Sequence, residues 1–290
     1  MSSWLLTPGS SLDPVAPWLS HRRRILGGMG MTISVLGSGS RGNATFVRTD
    51  QARLLIDAGI SRKEIGRRLE SLGEDPEGID AILVTHEHND HACALRMLVK
   101  EMPVRAYLTA GTIRALRAEE FETNGSTVVP IISEVPFTVG DAVITPFRVP
   151  HDAVEPVAFS ICAGGARLTQ ITDVGWLPQS VAQQLRNSDV LIMESNHDLE
   201  MLRAGPYPWT LKQRLMSRFG HLSNTAVARF ITDLYDGRAQ HLVLAHLSAR
   251  NNHPEIARQE AIRALRARAL STAGLMVTQQ DVPSPPIRLQ

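Results

Sequence analysis

His86-Glu87-His88-Asn89-Asp90-His91 follows directly on the apolar run Ala81-Ile82-Leu83-Val84-Thr85, and the reading of this hexapeptide decides the fold. The apolar run predicts a short buried strand. The polar stretch after it sets three imidazoles and a carboxylate at a strand end, four metal ligands on one loop. Imidazole suits Zn, Fe, Mn and Ni, and the carboxylate adds a hard oxygen. A solvated polar loop is the bland alternative, but HxHxDH spacing rarely arises by chance. One loop cannot complete two coordination spheres, so further ligands are needed at later strand ends. His151 follows a predicted strand over 143–149, Asp173 one over 168–172, and His246 one over 241–245. Each alone reads as a capped or hydrogen-bonded residue; their recurrence at strand ends makes them ligand candidates. Cys93 and Cys162 lack ligand spacing and read as buried small hydrophobes.

Working outward, strands are predicted over 31–36, 45–48, 53–57, 105–108, 157–162 and 190–194. A capping box at Ser61-Arg62-Lys63-Glu64 opens a helix that Gly73 ends. Further helices are expected over 93–100, 112–117, 181–185, 211–218, 224–234 and 254–269, the last with Pro254 in its first turn. The tail from Asp281 carries Pro283, Pro285 and Pro286 and is expected to be irregular. There is no internal repeat. Strands mixed with helices argue for one α/β domain of stacked layers over residues 31–285. Residues 1–30, Pro- and Ser-rich, are expected to be a disordered extension, with Met29 or Met31 as alternative starts. A twin-arginine export signal at Arg22-Arg23 is the weaker reading, because the following segment is glycine-rich and runs into a strand.

The 290 residues are 43% apolar and 20% charged, which excludes disorder, collagen-like repeats and coiled coil as global descriptions. No run reaches the 18 or so apolar residues of a spanning helix, so no membrane partner is expected. Two cysteines cannot build a disulfide framework, and a reducing, cytoplasmic setting is the expectation. The net charge of +1 gives no global footprint for nucleic acid. Arginines outnumber lysines 27 to 3, favouring forked phosphate contacts where they cluster.

HxHxDH with the later His, Asp and His, preceded by Leu54-Leu55-Ile56-Asp57-Ala58-Gly59, resembles the metallo-β-lactamase superfamily. The resemblance implies a four-layer αββα sandwich with a dinuclear site at one edge. It assigns one metal to His86, His88 and His151, and a second to Asp90, His91 and His246, with Asp173 bridging. Asp57 would orient a ligand from behind. The cofactors implied are two divalent ions, Zn or Mn, with Fe a further candidate.

Longer stretches resemble one branch, the bacterial WalJ/YycJ-type metallohydrolases: GSGSRGNA (37–44), ILVTHEHNDH (82–91), ESNHD (194–198), MLRAGPYPWTLKQRL (201–215), GHLSN (220–224) and LAHLS (244–248). That branch implies a DNA exonuclease working 5′ to 3′, with a metal-bridging hydroxide attacking the phosphodiester between Asp90 and Asp173. The oligomeric state is left open. Ser38, Ser40, Arg41 and Asn43 offer small groups for a phosphate cradle, or form a plain turn. Arg203, Tyr207, Trp209, Lys212 and Arg214 interleave charge with rings as a strand-binding surface, or form an amphipathic helix with Trp209 in the core. His221 matches a phosphate-contacting histidine of tRNA-processing relatives, with Glu194 orienting it. The rival activities are RNA processing and cyclic-phosphate hydrolysis, then thioester or lactone hydrolysis, then a non-catalytic regulatory role.

Overall fold

The computed structural model describes residues 30–121 and 127–290. The extension, export-signal and start-site expectations fall almost wholly on residues 1–29, outside the described residues. The first sheet carries β1 (Met31–Gly37), β2 (Ala44–Arg48), β3 (Arg53–Ile56), β4 (Ala81–Leu83), β5 (Arg105–Thr109) and β6 (Thr127–Ile131). The second carries β7 (Phe137–Val139), β8 (Ala142–Arg148), β9 (Val157–Ala163), β10 (Ala166–Ile171), β11 (Val190–Glu194), β12 (His241–Ala245) and β13 (Leu275–Val277). A last strand, β14 (Ile287–Leu289), returns to the first sheet, giving the orders β14-β1-β2-β3-β4-β5-β6 and β13-β12-β11-β10-β9-β8-β7.

Helices cover both outer faces. α1 (Arg62–Ser71), α2 (Asn89–Ala92), α3 (Leu95–Glu101) and α4 (Ala110–Leu116) connect strands of the first sheet. α5 (Gln179–Gln184), α6 (Leu199–Ala204), α7 (Trp209–Leu215), α8 (Asn224–Asp233) and α9 (Pro254–Ala267) belong to the second half. Ser61 caps α1 by accepting from the Glu64 N–H, as its capping box predicts. Between the sheets lies an apolar layer that includes Ile33, Leu54, Leu83, Phe159, Leu168 and Val243. A second layer packs α8 and α9 on the outer face of their sheet through Val227, Phe230, Ala261 and Leu265. A third packs α1 and α3 through Ile65, Leu69, Leu95 and Leu98. The result is the expected four-layer αββα sandwich. Strands covered on both faces explain why β1 and β11 are buried at every residue.

One expectation fails at the tail. Residues after Pro286 are not irregular: Met31 pairs with Leu289 and Ile33 with Ile287, so the sheet continues past residue 285. The prolines stop just before a strand whose alternate side chains, Ile287 and Leu289, are buried between the sheets. The cysteines also differ from expectation. Both are exposed rather than buried, with Cys93 Sγ donating to the Gly59 carbonyl at 3.0 Å.

The topology positions the site. β3 and β4 run parallel in one sheet, β10, β11 and β12 run parallel in the other, and β8 points the same way as β10. Their C-terminal ends deliver Asp57, His86, His151, Asp173, Glu194 and His246. Side chains just past such ends lean into a shared crevice.

Candidate metal centre

Local backbone does much of the aiming. His88 stands at the start of the short helix α2, so Asp90 and His91 lie on a helical turn rather than a plain loop. The helix expected over 93–100 is α3, starting at Leu95, and α2 is a separate turn that precedes it. Asp57, Asp173 and His246 all hold left-handed backbone, with φ of 61°, 58° and 56°. Such conformations cost about 1–3 kcal/mol each and persist where surrounding structure enforces them.

These turns bring together all seven residues expected as ligands. His86, His88 and His151 present nitrogens within 4.8 Å of one another, and so do the ligand atoms of Asp90, His91 and His246. Asp173 lies between the two groups: its Oδ2 is 3.0 Å from His91 Nε2, and its Oδ1 is 3.7 Å from His151 Nε2. The outward nitrogens are tied back. Asp57 Oδ2 lies 2.8 Å from His91 Nδ1, Thr85 Oγ1 lies 3.0 Å from His86 Nδ1, and His151 Nδ1 lies 3.1 Å from the Gly220 carbonyl. Each contact leaves the opposite ring nitrogen for the crevice. His86 Nε2 is buried with no hydrogen-bond partner among the described residues, and His246 Nε2 and Asp173 Oδ2 are buried with only acid–imidazole contacts, to Asp90 Oδ2 at 3.5 Å and His91 Nε2 at 3.0 Å. Buried polar atoms are normally satisfied, so under-satisfied ligand atoms in these neighbouring groups fit divalent cations.

The charges are strongly coupled. Burial pushes the His86 and His151 imidazoles below their ordinary range. Burial also opposes charge at His246, but Asp173, Asp90 and Glu194 overcome it and raise that imidazole to about 10. His91 is raised too, by Asp173 and Asp57 against burial. Asp173 faces the same burial penalty, yet the His246 and His91 rings hold it well below the carboxylate range. The side chains thus present a preformed anionic pocket that a dication would enter by displacing protons.

Behind this cluster, Glu194 is wholly buried and saturated with donors. Its Oε1 lies 2.7 Å from His221 Nδ1 and 2.8 Å from His246 Nδ1. Its Oε2 accepts from the Val174 and Leu222 N–H groups. Burial opposes ionisation, but the two imidazoles and these contacts hold the carboxyl down at about 2. Glu194 therefore aims one expected ligand and the one histidine expected to touch phosphate.

A cleft of about 230 Å³ opens over the centre, lined by Ser40, Asp90, Tyr207, Arg214, His221 and Ser248 among others. Of the residues expected to touch substrate, Ser40 and Arg41 are exposed, and Arg41 pairs with Asp281 at 2.5 Å. Ser38 and Asn43 point inward. Ser38 Oγ accepts from the His246 N–H at 2.7 Å and donates to Asn43 Oδ1, while Asn43 Nδ2 reaches the Asp90 carbonyl and lies 3.1 Å from His91 Nε2. Their polar groups brace the metal loops. Trp209 is 61% exposed, so it is not a core residue. Arg203 is also exposed, while Tyr207 is half-buried at the cleft. Lys212 is buried, with Nζ donating to the Arg203 carbonyl, and Arg214 pairs with Asp152. Sequence reasoning passed over Thr85, which touches Asp57, His86 and His91 at once, and Asp152, whose Oδ1 lies 3.3 Å from His151 Nε2. Thr85 directly precedes HxHxDH and Asp152 ends VPHD, but neither residue type marks a role by itself.

Comparison with known proteins places this geometry. Residues 52–247 match the family model described as a beta-lactamase superfamily domain. The chain is 34% identical over 264 residues to exodeoxyribonuclease YycJ of Bacillus anthracis, covering 90% of this chain and 99% of that protein. It is 35% identical over 239 residues to exodeoxyribonuclease WalJ of Streptococcus pneumoniae serotype 2, covering 82% and 89%. Among solved structures, the metallo-beta-lactamase fold protein YhfI from Bacillus subtilis superposes with a TM-score of 0.66 at 21% identity, covering 88% of this chain and 99% of that one.

Proposed function

The chain belongs to the metallo-β-lactamase superfamily of metal-dependent hydrolases, and from that premise we propose that it is a DNA exonuclease acting through two divalent ions. The observation that carries this is the joining of a seven-residue ligand set to a Glu194-held histidine at one cleft. Relatives named exodeoxyribonuclease, covered over nearly their whole length, support DNA as the substrate, and the 5′ to 3′ direction is carried over from the sequence resemblance alone.

His86, His88 and His151 would hold one ion, Asp90, His91 and His246 the other, and Asp173 would reach both. The chemistry such ions would supply when bound is acidification of a water and neutralisation of the phosphate's non-bridging oxygens. The chain's own groups do the rest. Asp90 and Asp173 keep the attacking group aligned by accepting its proton contacts. His221 has Nδ1 engaged by Glu194, so Nε2 is its working atom. Burial opposes the charge, but Glu194 raises the imidazole above its ordinary value, so it meets the cleft as a proton donor. That proton goes to the departing oxygen or to charge developing on the phosphate. Half-buried Tyr207 and exposed Trp209 offer faces on which bases stack, and Arg203 and Arg214 follow the backbone. The two exposed thiols suit a reducing cytoplasm.

The test is hydrolysis of bis-p-nitrophenyl phosphate and of end-labelled duplexes by metal-replete protein. His88→Ala and Asp173→Ala are expected to abolish both. Release of label from 5′ ends before 3′ ends is expected; the reverse order overturns the direction, and full activity in either variant overturns the metal assignment.

A further inference from the structure

A second groove, of about 390 Å³, adjoins the metal cleft and is larger than it. His151 lines both, so an expected metal ligand forms a wall common to the two. Its walls are Gly111 and Arg114 of α4, Arg148 at the end of β8, Val154 and Glu155 of the following loop, and Phe219. None of these carries a role in the chemistry above. We propose that this groove is a subsite for the terminal nucleotide of the strand, with Arg114 and Arg148 holding a phosphate and Phe219 stacking on the base. The proposal rests on the nuclease reading.

Size, charge and rigidity argue for it. Small-molecule clefts span about 300 to 1,000 Å³, and this groove sits at the small end, room for one nucleotide rather than a run of them. Two guanidinium groups face a single carboxylate. Glu155 is already engaged: Oε2 accepts from the Gly111 N–H at 2.7 Å, and Oε1 accepts from Arg148 Nη2 at a long 3.3 Å. Arg148 remains 70% exposed, so its fork can turn to a phosphate, the anion that planar guanidinium geometry suits. Phe219 is 59% exposed and Val154 61%, and with Val149, Pro150 and Pro156 they give the groove apolar surface beside its charged groups.

The walls are fixed to the metal centre. The Asp152 N–H donates to the Phe219 carbonyl at 3.0 Å, one residue from the His151–Gly220 contact. The Val154 N–H donates to Glu87 Oε1 at 2.8 Å, tying the loop to HxHxDH itself. Gly111 allows α4 this close, since a Cβ there would stand 2.5 Å from Glu155 Cβ. The Phe219 backbone is thus tied to the loop that carries the ligand His151, which anchors the ring beside the expected position of the scissile phosphate.

The experiment compares KM for a duplex DNA with KM for bis-p-nitrophenyl phosphate, which has no nucleoside to fill the groove. In Arg114→Ala/Arg148→Ala and in Phe219→Ala, the ratio of the two KM values is expected to rise about tenfold, the scale of one lost base stack. Phe219→Trp restores the ratio, which a merely structural role for the ring would not allow. Because Phe219 is exposed, that pair of variants keeps the test standing if the double arginine variant does not fold. A ratio within twofold of wild type in Phe219→Ala overturns the subsite. Failure of the wild-type protein to cleave either substrate overturns the nuclease reading instead, so the two failures are distinguishable.

Discussion

Asp57 Oδ2 lies 2.8 Å from Nδ1 of His91, with both side chains wholly shut off from solvent. The contact fixes the His91 ring so that Nε2 faces Asp173. Partners of this kind typically contribute 10- to 100-fold in metal affinity, a range of about 1.4 to 2.7 kcal/mol. Asp57→Asn keeps the shape and removes the charge. Metal titration is expected to show weaker binding by about that factor, with activity largely recovered at saturating metal. Unchanged affinity would mean that Asp57 only supports the Thr85 N–H, which donates to its Oδ1.

Glu194 joins two histidines whose variants should behave differently. His221→Ala removes a proton donor and no expected ligand, so kcat on DNA is expected to fall about 10²- to 10³-fold with metal content per chain intact. His246→Ala is expected to lose metal as well as activity. Elemental analysis beside kinetics checks both, and loss of metal in the His221 variant would make that residue a ligand.

The ligand set was legible because metal chemistry demands particular residue types, and strand ends put them where side chains converge. Asp57, His86, Asp173 and His246 each end an apolar run that the fold turns into a strand. Thr85 and Asp152 were not legible, since a threonine and an aspartate carry no signal until their neighbours are placed. Ser38 and Asn43 sit in a glycine-rich turn, but their partners His246 and Asp90 lie far along the chain. No local pattern reveals that such groups are already engaged. The tail strand was masked for a different reason: three prolines precede it, and its pairing partner is β1 at the opposite end of the domain.

Metal removal should be visible as stability. A ligand that binds only the folded protein adds about 4 kcal/mol when free metal exceeds Kd a thousandfold, worth about 10 °C in Tm for a domain of this size. Thermal unfolding with and without chelator is expected to differ on that scale. Asp173→Ala should start from a lower Tm and show a smaller chelator effect. An equal shift in both proteins would place the stabilising ion elsewhere.

His197 gives the protein a separate acid sensitivity. Its side chain is buried beside the centre without belonging to any ligand group, and burial lowers its imidazole from 6.5 to about 4. Between those values the unfolded chain binds a proton that the folded chain does not. Its contribution to stability is therefore full above pH 6.5 and is lost as pH falls toward 4. Between pH 7.5 and 5.0 the loss is about 2 kcal/mol. In His197→Gln that increment is absent. The difference in unfolding free energy between variant and wild type is expected to move by this amount across the interval, in the variant's favour at low pH. Metal ligands titrate in both proteins and cancel in the comparison. Denaturant unfolding at the two pH values measures it, and a difference independent of pH would show that His197 is not held neutral in the folded protein.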